Sequence, residues 1–358
     1  MNCKSFLIAF FTYLAITLYT HYTNWALAEE LYTVRSISVD AFAETPSAAK
    51  VKAVADGRRI AFERLMNRLL PLNLTKTLEE QSDRTLDNLI IGFEVANENS
   101  SSMRYVARLS FTFDPVLVRN FLVYNNLSFA ETCSLPVLVI PLLDSNDGPI
   151  LWEESNLFRK AWVKALIETG LVPIIVPRGN IFDINGLSTE NAIVGDQKVL
   201  TNFARSYGAR DAVVVVAKPS NKSIALFVRR IGPFGFSSTM RQNILVDEGE
   251  YNYDALVQHA ISMIEESWKS DNLIQGKLES QITATVPIDN IQQWVALRKV
   301  LDKTIVLLKY DVIQLTKKNA LINLRIRGTV KQLRIALEQQ NLRIISVGDK
   351  YIIVPFYL

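Results

Sequence analysis

The chain has 358 residues, with 39 Lys and Arg against 36 Asp and Glu, a formal charge of +3, and only two Cys and two His. So small a charge excess argues against a nucleic-acid footprint, which needs a basic face. Cys3 and His21 fall in an N-terminal leader, and the Cys133 and His259 that remain exclude a Cys/His zinc site, a disulfide framework and a CxxC redox pair.

In the leader, Lys4 precedes an apolar run from Phe6 to Tyr19, and Ala26-Leu27-Ala28 follows. That order of basic start, apolar middle and small-x-small site is a secretory signal peptide, with the cut expected after Ala28. An uncleaved anchor is the alternative, but His21 and Asn24 interrupt the run short of the ~20 apolar residues a spanning helix requires. Cys3 lies before the apolar run, whereas a lipoprotein cysteine would follow it, so no lipid anchor is expected. After Glu29 no stretch approaches spanning length. The expected product is an exported, periplasmic protein with residues 1–28 removed.

Three segments follow, an N-terminal α+β domain (29–130), a middle α/β domain (131–276) and a C-terminal ferredoxin-like domain (277–358). In the first, Val34, Ile37 and Val39 mark a half-buried strand. Thr45-Pro46 opens a helix whose apolar face is read as Val51, Val54, Ala55, Ala61, Phe62, Leu65, Met66, Leu69 and Leu70, and Pro71 stops it. A weaker helix is expected over 78–91. Phe93 to Ala96 and Arg104 to Phe113 read as strands joined by the polar connector Asn97 to Ser102. Tyr105, Ala107, Leu109, Phe111 and Phe113 share one face of the second strand. Asp114-Pro115 caps a short helix through Leu122.

The middle segment changes pattern. Leu135 to Leu143 is almost continuously apolar, as a strand buried on both faces requires. A helix is expected from Trp152 to Thr169, a strand over 171–176, a helix over 199–207 and a strand over 212–217. This β-α-β-α-β order makes an open, mostly parallel sheet with crossover helices. Ile224 to Ile231 and Thr239 to Val246 extend it as an antiparallel hairpin around Gly232-Pro233-Phe234-Gly235, and an amphipathic helix over 253–268 closes the segment. In the third segment, a strand over 282–286, a helix capped by Asp289 and facing inward with Trp294, Leu297, Val300 and Leu301, a hairpin over 304–327, a helix over 329–340 and a terminal strand pair turning at Gly348-Asp349 give the β-α-β-β-α-β order.

Few residues offer chemistry. His259 is the only histidine left to serve a nucleophilic triad, and it reads as a partly exposed helical residue. No G-x-S-x-G elbow or Walker-type loop is present. Cys133 reads as a small buried thiol. Asp144 and Asp147 follow the end of a buried strand, the usual ligand side of an open α/β sheet, though a polar surface loop is the favoured account of them. Arg205, Arg210, Arg229, Arg230 and Arg241 could gather on the middle segment, although Arg229, Arg230 and Arg241 also suit a solvated hairpin face. No cofactor or metal is expected.

The stretches EELYTVRSISVDA, AKVKAVADGRRIAFERLMNRLL, RYVARLSFTFDP and LPVLVIPLL resemble an exported proteobacterial family known only as a domain of unknown function, DUF2066. The middle segment is similar in layout to the amino-terminal domain of the Tol translocation protein. The first two segments together resemble the domain pairing of a flagellar-motor assembly protein. The resemblance implies no catalytic residue. The expectation is a non-enzymatic binding or assembly module of the cell envelope with an unidentified envelope protein partner and no nucleic acid; the alternative is a carboxylate-dependent hydrolase of an envelope polymer.

Overall fold

A computed structural model describes residues 31–355 apart from 77, 166, 168–169, 233–234, 246–250, 275–278, 305, 339 and 349. The expected leader, with its cleavage site at Ala26 and Ala28, lies outside the described residues, as do Leu166, Gly276 and Asp349. The chain is mixed α/β and α+β, with one sheet in a first compact unit that ends at Leu127 and two in a second unit that starts at Ser128.

The first unit comprises β1 (Thr33–Phe42), α1 (Pro46–Leu69), α2 (Leu72–Thr75), α3 (Asp83–Leu89), β2 (Ile90–Ser100), β3 (Arg104–Phe113) and α4 (Pro115–Tyr124). Its strands run antiparallel in the order β1-β3-β2. Thr45 and Asp114 cap α1 and α4 as expected, Thr45 accepting from the Ala48 N–H and Asp114 from those of Val116 and Leu117, with Pro at the first helical position of each. Tyr105, Ala107, Leu109, Phe111 and Phe113 are all buried beneath α1, each large one contributing about 1.5–3 kcal/mol by leaving water.

The buried stripe of α1 differs from the expected one in its first half. Ala49, Ala53 and Gly57 face inward, while Val51 is 67% exposed and Val54 and Ala55 are only half-buried. Close approach decides this. A Cβ on Gly57 would lie 2.8 Å from Leu109 Cδ1 and 3.1 Å from Val39 Cγ1, so the helix sits on the sheet through its smallest residues. The expected helix over 78–91 shortens to α3 because Ser82 caps it, and Ile90 and Ile91 join β2. The polar connector also shortens. Asn97 takes a left-handed conformation (φ 51°) at a bulge, an arrangement Asn tolerates, and β2 continues to Ser100.

The second unit begins with β4 (Val137–Ser145), β5 (Gly148–Ile150), α5 (Leu157–Lys164), β6 (Ile174–Ile175), α6 (Ile181–Gly186), α7 (Thr189–Val194), α8 (Gln197–Ser206), β7 (Asp211–Ser220), β8 (Ser223–Gly232), β9 (Gly235–Leu245) and α9 (Tyr253–Asp271). The sheet order is β5-β4-β7-β8-β9, with β6 also parallel to β4. Val137 to Leu143 are buried without interruption, as the apolar run implied.

Two elements are shorter than expected for local reasons. The helix placed over 152–169 is α5. Asn156, wholly buried, caps it at the Arg159 N–H (2.9 Å) and donates its amide to the carbonyls of Pro141, Ile150 and Leu151. That side chain holds the β4–β5 hairpin return in place and delays the helix start. The strand placed over 171–176 is reduced to β6, because the Leu171 and Val172 amides donate to the Glu265 carboxylate on α9 at 3.1 and 2.9 Å, and Pro173 has no N–H.

The last sheet comprises β10 (Glu279–Pro287), α10 (Ile291–Lys303), β11 (Leu307–Leu315), β12 (Asn319–Arg327), α11 (Val330–Glu338), β13 (Leu342–Val347) and β14 (Lys350–Pro355), in the order β11-β12-β10-β14-β13. The α10 cap is Asn290, one residue after the expected Asp289, and Val300 is half-buried where Trp294, Leu297 and Leu301 are buried. The terminal pair adds a fifth strand. β14 pairs with β10 in parallel and pushes β13 to the edge, so the sheet is wider than a β-α-β-β-α-β unit.

Candidate functional site

Asp144 and Asp147 sit in the β4–β5 hairpin, a surface turn. Asp144 accepts from Lys218 Nζ on β7 at 2.7 Å, and both side chains are solvent-accessible. This is the polar-loop reading, with a lysine rather than a second carboxylate opposite Asp144. Among the described residues no group of three or more His, Cys, Asp or Glu is placed to hold a metal ion. His259 is exposed on α9, and Cys133 is half-buried rather than buried.

Of the five arginines, Arg210 and Arg230 meet at Asp211 while Arg205, Arg229 and Arg241 lie apart from them, and Arg229 and Arg230 are not on a solvated face. Arg229 donates to the carbonyls of Ala192 (3.1 Å), Ile193 (2.7 Å) and Val194 (3.4 Å), neutralising the negative end of α7. Arg230 is 8% exposed; its Nε and Nη2 reach Asp211 Oδ2 at 2.8 and 2.6 Å, Nη2 donates to Ser134 Oγ, and the guanidinium stacks 4.8 Å from the Trp268 ring. Burial pulls its affinity for the proton below the ordinary arginine range, and Asp211 opposes that shift. Arg210 extends the chain of charges, with Nε on Asp211 Oδ1 (3.1 Å) and Nη1 on Glu338 Oε2 of α11 (3.0 Å). Gln332 of the same helix donates to the Leu273 carbonyl. These contacts clamp the last two sheets together, a structural use of residues that the sequence offers equally as ligands. Arg241 stacks on Phe227 at 5.1 Å, and Arg205 is exposed on α8.

A surface groove lies between α6 and α8; α6 falls in the stretch from Pro177 to Lys198, where no element was expected, and α8 is the helix expected over 199–207. Arg178, Asn180, Phe182, Asp183 and Gly186 form one wall. Val199, Asn202, Phe203, Ser206 and Tyr207 form the other. The helices approach closely because α6 ends in Gly186, where a Cβ would press on the Phe203 ring at 3.2 Å.

Local hydrogen bonding builds the wall. Asn180 and Asp183 form a reciprocal capping box at the start of α6. Asp183, 2% exposed, accepts from the Gly179 and Asn180 N–H groups at 2.7 and 3.0 Å and from the Tyr207 hydroxyl. Burial, helped by that bond to Asp183, pushes the Tyr207 phenol up to about 12. Arg159 of α5 supports the loop from beneath, donating to the Arg178 carbonyl. At the rim Phe182 is 80% exposed and Ile181 62%. The signals for these helices were the Asn180-to-Asp183 spacing and the cap residues Ser188 and Asp196, whose side chains accept from Asn191 N–H and Val199 N–H. They went unread because α6 and α7 span six residues each and lack a helical apolar period.

No helix among the described residues is long and apolar enough to cross a membrane. No protein-family model matches the chain, and no curated protein matches it in sequence. Among solved structures the chain is similar to lipoprotein GNA1162 from Neisseria meningitidis, at 12% identity and a TM-score of 0.26 over 37% of this chain and 95% of that one. It is also similar to the LpoB C-terminal domain from Salmonella enterica, at 16% identity and a TM-score of 0.22 over 33% of this chain and 86% of that one.

Proposed function

We propose that the mature chain is an exported, non-catalytic binding or assembly module of the bacterial envelope that docks a partner protein. The observation that carries this reading is the α6–α8 groove, whose rim exposes Phe182 while its one buried carboxylate, Asp183, is spent on two backbone amides and a tyrosine hydroxyl. Such a site offers contact area rather than a proton donor and acceptor. The exposed hairpin setting of Asp144, paired with Lys218, supports the same choice over polymer hydrolysis. The sequence resemblance to the exported DUF2066 family belongs to the proposal, as does export itself.

Two sheet edges supply further contact surface. β2 is an edge strand with Ile91 and Phe93 more than half exposed, and β9 is the free edge of the middle sheet. The hairpin read as mostly exposed contributes only its outer strand, since Ile224, Leu226, Val228 and Ile231 of β8 are buried. The test is crosslinking in the periplasm of the native host followed by affinity recovery of the mature chain. A defined envelope complex is the expected result. Turnover of an envelope polymer by the purified protein, abolished by Asp144→Asn, would overturn the proposal.

A further inference from the structure

We infer that the cavity between α9 and the middle sheet, beside the charged clamp, is a binding site for a small neutral amide. The cavity measures about 80 Å³ and lies between β7, β8 and β9 on one side and α9 on the other. Arg210, Asp211, Arg230 and Asp271 line its charged end. Asp211 is saturated, with Arg210 Nε on Oδ1 and two Arg230 nitrogens on Oδ2. The arginines are not. Arg230, 8% exposed, spends Nε and Nη2 on Asp211 and Ser134, and Arg210 spends Nε and Nη1 on Asp211 and Glu338. Arg230 Nη1 and Arg210 Nη2 have no acceptor among the described residues, which leaves N–H donors unsatisfied on both guanidinium groups at one cavity wall. Along the sheet the lining then passes to Val228 and its cross-strand partner Met240, and Ile264 of α9 closes that apolar end.

These walls select by charge, polarity and size. The lining charges cancel, Arg210 and Arg230 against Asp211 and Asp271, as do Glu338 and Lys331 just outside. A guest ion of either sign would therefore leave an uncompensated charge in a space largely shut off from water. Water alone would satisfy the charged end, but Val228, Met240 and Ile264 offer it no hydrogen-bond partner. An amide suits both ends. Its carbonyl oxygen, with two lone pairs, accepts from the spare arginine donors, and its alkyl group lies on Val228 and Met240. Its N–H donates to Asp271, whose carboxylate meets Lys331 at 3.7 Å, longer than a hydrogen bond, and so keeps acceptor capacity. A cavity of about 150 Å³ holds benzene, so this one suits roughly four non-hydrogen atoms, the size of acetamide.

The test uses the mature chain and three probes of one shape, acetamide, acetate and acetamidinium, which differ in charge. The readout is the nuclear magnetic resonance signal of the indole N–H of Trp268, a wall residue, identified by its loss in Trp268→Phe. Acetamide is expected to shift that signal saturably with a Kd of about 1 mM, and the two ions at least about tenfold more weakly. Met240→Phe, at a half-buried position on the wall, should weaken acetamide about tenfold by filling the space. Asp271→Asn, at an exposed position, leaves the arginines in excess, so acetate should bind about tenfold tighter than to the parent chain and overtake acetamide. Circular dichroism checks that both variants fold, and the comparison of the three probes on the parent chain stands without them. The absence of a saturable shift with any probe, meaning that water alone fills the cavity, overturns the inference. So does acetate or acetamidinium binding as tightly as acetamide, an acetamide affinity that Met240→Phe leaves unchanged, or an order of probes that Asp271→Asn leaves unchanged. None of these outcomes bears on the docking-module reading, which rests on other surface.

Discussion

Replacing Arg230 by Met tests the reading of the charged clamp. The substitution keeps most of the apolar stem but removes two bonds to Asp211, at 2.8 and 2.6 Å, one to Ser134 at 2.8 Å and the stacking on Trp268. Asp211 is 4% exposed and would be left with Arg210 alone, at 3.1 Å. Removing one member of a buried pair costs about 3–5 kcal/mol because an uncompensated charge stays behind, and the surviving Arg210 places this case at the low end, about 3 kcal/mol. Adding Asp211→Asn removes the stranded charge, so the double variant should recover to a loss of about 1 kcal/mol, since apolar or neutral replacement of both partners is often close to neutral. Apart from Trp25, every tryptophan follows Leu127, so urea unfolding of a chain starting at Glu29, followed by tryptophan fluorescence, reports the second unit by itself. A loss below about 1 kcal/mol for Arg230→Met, or a double variant less stable than the single, would refute the assignment of the clamp as a stabilising network.

Other consequences are as direct. The Tyr207 phenol, raised from 10.0 to about 12, holds its proton more tightly in the folded chain, so its contribution is complete below pH 10 and is lost as the pH rises to about 12. Absorbance of tyrosinate should lose one of its late-ionising groups in Tyr207→Phe, those of Tyr105 and Tyr253 remaining; an unchanged titration would contradict the Asp183 contact. Gly57→Val should destabilise the first unit by about 1–3 kcal/mol through overpacking on Leu109 and Val39, read as a lower melting temperature by circular dichroism. Asp144→Asn, which breaks only an exposed pair with Lys218, should change stability by less than about 1 kcal/mol and leave partner recovery intact.

Much of the architecture was readable from residue order. The alternation of Tyr105 through Phe113, the nearly continuous apolar run from Leu135 to Leu143 and the Thr45-Pro46 and Asp114-Pro115 caps are signals whose cause is local, and the structure bears each out, with the strand of the run starting at Val137. The inward stripe of α1 was not readable, because hydrophobicity ranks Val51 above Gly57, whereas the distance between helix and sheet ranks them the other way.

What the sequence determined by itself is most of the strands and longer helices, and that one His and one Cys follow residue 28. Only tertiary structure decided where the charges went. Arg229 and Arg230 are neighbours on one strand whose side chains alternate between faces, so one meets the carbonyl end of α7 and the other a buried Asp211. Asp144 was equally free to face a carboxylate or a lysine until β7 came alongside β4. The α6–α8 groove depends on contacts between Gly186 and Phe203 and between Asp183 and Tyr207, pairs separated by more than a dozen residues. Pairing at that range is set by which faces the sheet leaves open, and no local period encodes it.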